Sequence, residues 1–259
     1  MRNVKPEQLL LYAITDSTWL AGRRLADCVA DAIAAGATFV QLREKHATRD
    51  QKIARAREIA PLCRAAGVPF VIDDDVDVAL ASGADGVHVG QDDLSCAEAR
   101  RLLGPDAIVG VSAHNVAEAV KAQADGADYL GSGALVATST KDDVTPLPPE
   151  ELAAICAAVD IPVVGIGGLN ARTIPRFAGL GCAGAAVVSA IFASMSDLKA
   201  KIINSSVMMQ DMANAMMNRT GTASEKVRGR RPAMSPRSIT KTRLAQTRHT
   251  PRMTRILRV

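Results

Sequence analysis

Aromatic side chains are nearly missing from this chain: one Trp, two Tyr and four Phe make up 3% of 259 residues. With hydrophobic residues at 48%, a sizeable core is expected, built from Ala, Val, Ile and Leu. No apolar run reaches the roughly 18 residues of a membrane span, and residues 1–11 lack the apolar block of a secretory signal. The five cysteines, Cys28, Cys63, Cys96, Cys156 and Cys182, contain no C-x-x-C pair. An odd, scattered set excludes a disulfide framework or a zinc site and fits reduced thiols in the cytoplasm. The phosphate loop G-x-x-x-x-G-K-[ST] is absent. Neither a Ser–His–Asp set nor a cysteine in a nucleophile motif can be read, so no covalent protein intermediate is expected.

Charge divides the chain. Residues 201–259 hold 13 Lys/Arg and only two acids, Asp211 and Glu225, while residues 1–200 hold 18 bases and 25 acids. The net +4 therefore joins a body of −7 to a tail of +11. The expected organisation is a folded unit over residues 1–205 and a basic, Met- and Arg-rich extension over 206–259. That extension is rich in Ser, Thr and Pro and is expected to be mostly disordered. Its charge suits phosphates, but without interleaved aromatics a nucleic-acid partner is not expected.

Short apolar runs at 9–14, 38–42, 70–72, 86–89, 108–111, 129–131, 162–166 and 185–188 read as strands. Helical patterns follow at 24–35, 49–66, 76–82, 95–103, 115–124, 150–159, 170–177 and from 189 to about 203. Strands that are apolar throughout belong in a parallel sheet buried on both faces. Strict alternation implies an α/β fold, and eight units imply a closed (β/α)8 TIM barrel. A doubly wound open sheet is the runner-up.

In such barrels the active site lies at the C-terminal ends of the strands, and here those ends carry the polar residues. Alternation along the second strand points Gln41, Arg43 and Lys45 one way and Leu42 and Glu44 the other. Gln reads ring edges, Arg grips phosphate bidentately and Lys adds a point charge, which suits a heterocycle carrying a polyphosphate. The competing reading is a solvated basic strand end. Asp74 and Asp93 follow adjacent strands and could meet as a Mg2+ site, although carboxylates at these loops could also be helix caps, Asp75 or Asp92 among them. The hydroxyl-rich segment Thr138-Ser139-Thr140-Lys141 after strand six suits a phosphate, as does the rim formed by Gly167, Gly168 and Ser189 after strands seven and eight. Two anion sites emerge, one metal-assisted and one metal-free. His88, inside a strand, reads as a core residue; His46 reads as a surface position, and His114, two after Ser112, reads as either a base or, more commonly, a surface histidine at a helix start.

Together the stretches YAITD (12–16), QLREK (41–45), ADGVHVGQDD (84–93), GVSAH (110–114), TSTK (138–141), VVGIGG (163–168) and VVSAI (187–191) resemble the thiamin phosphate synthase family over residues 9–192. The resemblance implies a (β/α)8 barrel that joins a hydroxymethylpyrimidine diphosphate to a thiazole phosphate and releases pyrophosphate by a dissociative route. Arg43, Lys45, Ser112 and Lys141 would be the catalytic contacts to the leaving diphosphate. Gln41, Leu42, Glu44 and Asp73 would join them in holding the pyrimidine substrate, and Asp74 and Asp93 would bind Mg2+. Thr138, Ser139, Thr140, Gly168, Val188 and Ser189 would hold the thiazole phosphate. The partners are then these two small molecules, with no membrane, and a homo-oligomer is allowed.

The chain departs from the family's pattern in three places. Asp73 stands where an Asn is usual, placing a further carboxylate near the diphosphate. The segment Gly133-Ala134-Leu135-Val136-Ala137-Thr138 lacks two prolines and an aromatic, from which a looser loop and weaker thiazole phosphate binding are expected. The basic tail is not part of the pattern. A tautomerase-like isomerase and a non-catalytic binding protein using the tail are the competing functions. The first would not need Asp74, Asp93, Arg43 and Lys45 together.

Overall fold

The computed structural model describes residues 4–20, 22–136 and 146–193. Eight strands, β1 (Leu11–Ile14), β2 (Phe39–Leu42), β3 (Phe70–Asp73), β4 (Gly86–Val89), β5 (Ile108–Ser112), β6 (Tyr129–Ser132), β7 (Val163–Ile166) and β8 (Gly184–Val187), run parallel in sequence order. β1 pairs with β8 through Leu11↔Ala185 and Tyr12↔Ala186, which closes the ring and rules out the open sheet. The helices are α1 (Leu25–Ala34), α2 (Arg49–Ala66), α3 (Val76–Ser82), α4 (Cys96–Leu103), α5 (Val116–Ala124), α6 (Pro149–Ala158) and a short α7 (Ser189–Phe192). The 1–205/206–259 boundary and the tail lie outside the described residues.

Local chemistry sets the helix starts. Thr48, Asp75, Ser95 and Asn115 each accept, through a side-chain oxygen, the N–H of the third helical residue, respectively Gln51, Val78, Glu98 and Glu118. Each satisfies one orphan donor of a helix N-terminus. The helix expected at 170–177 does not form; only a 3-10 turn, Ile174–Arg176, is present. Pro175 has no N–H and disfavours helical geometry at Ile174. Asn170 instead folds its side chain onto the N–H groups of Arg172 and Thr173. The last helix is described only to Phe192, and its expected continuation lies outside the described residues.

Two apolar layers result. Alternate strand residues such as Leu11, Val40, Ile72, Val87, Val109 and Leu130 face the helices and join Val29, Ile59 and Leu152 in an aliphatic shell. The opposite parity faces the barrel axis, where Val4, Leu9, Tyr12, Phe39, Ile108, Tyr129 and Val164 form a separate inner core. The expectation of a purely aliphatic core fails here. Both tyrosines and Phe39 meet on the axis, with ring centroids 4.6, 5.3 and 5.9 Å apart. The barrel tolerates such bulk because its small positions face it: a Cβ on Gly110 would lie 2.2 Å from the Tyr129 ring.

Candidate active site

Above the aromatic layer, the axial cavity opens at the strand C-terminal ends. Its wall includes Gln41 and Arg43 from β2 and its end, Asp73 from β3, His88 from β4, Ser112 from β5, Gly131 from β6, and Gly167, Gly168, Val188 and Ser189 after β7 and β8. Gln41, Asp73, His88 and Ser112 share the axial parity of their strands, so a period of two assembles this set from four strands.

Among the described residues, Arg43 is the Lys or Arg side chain in this wall. Its side chain is 10% exposed, its Nε lies 3.5 Å from Asp73 Oδ2 and its Nη1 4.0 Å from Asp16 Oδ2. Its Nη2 is buried without a hydrogen-bond partner among the described residues. A buried guanidinium donor left unpaired costs free energy unless a ligand takes it.

From Asp73 a continuous line of hydrogen bonds crosses the barrel. Gln41 Nε2 donates to Asp73 Oδ1, and Tyr12 O–H donates to Gln41 Oε1 at 2.8 Å. The Tyr12 and Tyr129 hydroxyls are 2.8 Å apart. Tyr129 meets His88 Nδ1 at 3.0 Å, and His88 Nε2 meets Ser112 Oγ at 3.0 Å. Burial, and then the neighbouring Tyr129, push the Tyr12 phenol well above its ordinary value, and burial does the same to Tyr129. Each phenol keeps its single proton. His88 is thus a buried core histidine, as expected, but one with a part in the site. Alternation marks its axial face; contacts to residues as distant in sequence as Tyr129 carry no local signal.

At the rim between β3 and β4, Asp74 adopts a left-handed backbone (φ 62°) and donates its N–H to His88 O at 2.8 Å. Partial desolvation of its carboxyl, with the Asp73 and Asp93 carboxylates beside it, pushes its pKa up to about 8. Asp93 accepts the Gly90 N–H at 2.8 Å. Asp75 and Ser95 cap the two following helices, so Asp74 and Asp93 are not helix caps. Among the described residues no three His, Cys, Asp or Glu side chains form a ready metal shell. Mg2+ commonly takes one or two protein carboxylates and completes its shell with water and substrate oxygens, which the Asp74–Asp93 pair fits.

Other sequence candidates fall elsewhere. Leu42 is buried in the shell under the helices. Glu44 also turns outward, its side chain 3% exposed, pairing with Arg55 and Ser17 and accepting from Thr15 Oγ1 at 3.2 Å. Neither lines the axial cavity, as strand alternation requires. Lys45 lies three residues beyond the end of β2 and is exposed; with Glu44, His46 and Trp19 it lines a neighbouring cavity that meets the first at Arg43. His114 is exposed, as the surface reading expects, and also lines the mouth of the axial cavity beside Glu118, Nδ1 to Oε2 3.2 Å. Thr138, Ser139, Thr140 and Lys141 lie outside the described residues. Of the 133–138 segment expected to be looser, residues 133–136 are described: Leu135 N–H donates to Ile166 O (2.9 Å), Val136 N–H to Gly167 O (3.1 Å) and Leu147 N–H to Ala134 O (2.7 Å); Ala137 and Thr138 lie outside the described residues. Gly167 and Gly168, at φ 95° and 64°, also have a packing role, because a Cβ on either would clash with Ala134 or Val136 at 2.6–2.7 Å.

Residues 11–191 match the family described as thiamine monophosphate synthase. The chain belongs to that family. It is 50% identical over 185 residues to a thiamine-phosphate synthase of Chloroflexus aurantiacus, covering 71% of this chain and 85% of the relative. A second thiamine-phosphate synthase, from Ruminiclostridium cellulolyticum, is 47% identical over 189 residues, 73% of this chain and 90% of that one. Among solved structures, a thiamine phosphate pyrophosphorylase from Pyrococcus furiosus superposes with a TM-score of 0.72 at 31% identity, over 82% of this chain and 98% of the other. The family match spans all eight strands and the whole axial rim. No helix among the described residues is long and apolar enough to cross a membrane.

Proposed function

We propose that the axial cavity is where a pyrimidinylmethyl diphosphate and a thiazole phosphate are joined to give thiamin phosphate and pyrophosphate. The observation that carries this reading is the Arg43 guanidinium, held in the cavity wall with one donor unpaired, between the ring-edge amide of Gln41 and an acidic rim.

In the reaction the pyrimidine CH2–O bond breaks and its electron pair leaves with the diphosphate. The thiazole nitrogen then forms the new C–N bond to the CH2 carbon. Charge builds on the leaving oxygen, so fixed positive groups there lower the barrier. Arg43 supplies that charge from the wall and Lys45 from the neighbouring cavity; Lys141 joins them by its place in the family motif. Gln41 orients the pyrimidine edge, and Ser112 faces the departing group. Thr138, Ser139, Thr140, Gly168, Val188 and Ser189 are assigned to the thiazole phosphate. Mg2+, held by Asp74 and Asp93, would neutralise further charge on the diphosphate. The cavity's apolar members Ile14, Ala134, Val164 and Ile166 exclude the water that would otherwise quench a cationic pyrimidine.

The test is product formation by the purified chain given both substrates, with Mg2+ or with chelator. Mg2+-dependent thiamin phosphate that disappears in Asp93→Asn, which keeps an acceptor for Gly90 N–H, supports the reading. Product at the same rate with chelator would remove Mg2+ from it, and no product from the folded protein would overturn it.

A further inference from the structure

The line from Asp73 to Ser112 has a direction, and Asp73 sets it. A carboxylate can only accept, so Gln41 must turn its NH2 toward Asp73 and its carbonyl toward Tyr12. Tyr12 spends its one proton on that carbonyl, so the bond between the phenols is donated by Tyr129. Tyr129 must then accept from His88, which places the imidazole proton on Nδ1 and leaves Nε2 as an acceptor. Ser112 donates its hydroxyl proton to Nε2 and shows the cavity only lone pairs.

We propose that Asp73 is a positioning residue that fixes the polarity of this line and thereby holds the Ser112 hydroxyl as an acceptor toward the ligand. An amide at 73 reverses everything. Arg43, a donor only, lies 3.5 Å from Oδ2 and would claim the amide oxygen, leaving the amide NH2 facing Gln41. Gln41 then presents its carbonyl to residue 73 and its NH2 to Tyr12, and each proton down the line shifts over. His88 ends with its proton on Nε2, donating to Ser112, whose own O–H is released into the cavity. Gly131 keeps the ring in register, since a Cβ there would lie 3.1 Å from His88 Cε1. The consequence for ligands rests on the diphosphate reading above; the polarity itself does not.

The experiment is 15N NMR of histidine-labelled full-length chain, with the His88 signals assigned by their loss in His88→Gln. The native protein should carry its proton on Nδ1, and Asp73→Asn should move it to Nε2. A native Nε2 proton, two protonated nitrogens, or an unchanged tautomer in Asp73→Asn overturns the proposal. The second arm is calorimetric binding of inorganic pyrophosphate without added metal. Asp73→Asn should tighten it about tenfold, the scale of one hydrogen bond to a charged group. That gain should largely vanish in a Ser112→Ala background. Equal gains in both backgrounds would assign the effect to charge removal and overturn Ser112's part. A tautomer switch with no pyrophosphate binding in any variant counts against the diphosphate reading alone and leaves the polarity standing.

A separate feature lies at the other end of the barrel. Cys156, near the end of α6, and Cys182, in the segment entering β8, have Sγ atoms 3.8 Å apart. The approach is built in: Gly181, at φ 102°, lies so close that a Cβ there would be 2.8 Å from Cys156 Cβ. Cys156 is half-buried and Cys182 is 7% exposed, so Cys156 is the more accessible residue of the pair. The structure assigns this pair as a two-thiol redox site for hydroperoxides. The Cys156 thiolate attacks the peroxide oxygen; an S–O bond forms, the O–O bond breaks and, with one proton, water or an alcohol leaves. The Cys182 thiol then displaces water from the sulfenic acid to form the disulfide, the pair giving up two electrons in all. A hydrogen bond from Cys182 lowers the Cys156 pKa, whereas burial raises Cys63 to about 12 and Cys96 to about 11.

Near-stoichiometric hydrogen peroxide on the full chain should cut alkylatable thiols from five to three, lower the intact mass by about 2 Da and yield a linked Cys156–Cys182 peptide. Cys182→Ser should accumulate a dimedone-reactive Cys156. Five thiols still alkylating, or sulfinic acid on Cys156 of the native chain without the link, would overturn the assignment.

Discussion

The two faces of the barrel strands obey different rules. The face toward the helices is a mainly aliphatic shell of Val, Leu, Ile and Ala joined by Phe70, Phe177 and Phe192, with the ion pairs Glu44–Arg55 and Asp128–Arg100 set just beyond the ends of β2 and β6. The axial face holds the chain's two tyrosines and, above them, Gln41, Arg43, Asp73, His88 and Ser112. Adjacent residues of one strand thus belong to different problems: Leu130 is fully buried under helices, while Gly131 makes room for a catalytic-site imidazole. Stability resides mainly on one parity and function on the other, so substitutions one residue apart should have effects of different kinds.

The largest effect expected is at Arg43. Arg43→Met should lower kcat/KM by about 10^3, roughly 4 kcal/mol of lost charge stabilisation, with the protein still folded; steady-state kinetics beside circular dichroism checks this. A loss under tenfold would take Arg43 out of the catalytic set. Next comes the strand pair. Leu130→Ala should cost about 3 kcal/mol of stability through the cavity it leaves, read by urea unfolding, with kcat unchanged well below the transition. Gly131→Ala should do the opposite, lowering kcat about tenfold by shifting His88, an effect of about 1.4 kcal/mol, with a smaller change in unfolding midpoint. If the two variants behaved alike, the separation of the faces would fail.

Much of this contrast was legible in sequence because it is local. Strand runs, the cap offered by Asp75, and the parity of Gln41 and Arg43 are each read within a few residues. The helix expected at 170–177 does not form because Pro175 lacks the N–H that such a helix would use. The aromatic inner core and the line through Tyr12, Tyr129 and His88 were not legible, since closing the ring brings together residues 117 positions apart and nothing in composition marks them as neighbours. The same holds for Cys156 and Cys182, scattered in sequence and touching in space. Lys45 was placed with Arg43 by extending strand parity beyond Leu42, where β2 has already ended.

The smallest effect expected sharpens the contrast at the rim, where Asp74 is crowded by the Asp73 and Asp93 carboxylates. Free Asp ionises near pH 4, while native Asp74 holds its proton up to about pH 8. Between these values the native form binds more protons than the unfolded chain, so the Asp74 contribution to stability falls as pH rises. It is fully present below about pH 4 and gone above about pH 8. Mg2+ at this position must displace that proton. It should therefore bind more tightly, and raise the melting temperature more, near pH 8.5 than near pH 6.5, by on the order of 2 °C at millimolar metal. Differential scanning calorimetry at the two pH values measures this directly. Asp74→Asn should abolish both the pH dependence and the metal shift, whereas Asp77→Asn, an acid on the exposed side of α3, should leave them intact. A shift of equal size at both pH values, or one retained in Asp74→Asn, would put the cation somewhere other than between Asp74 and Asp93.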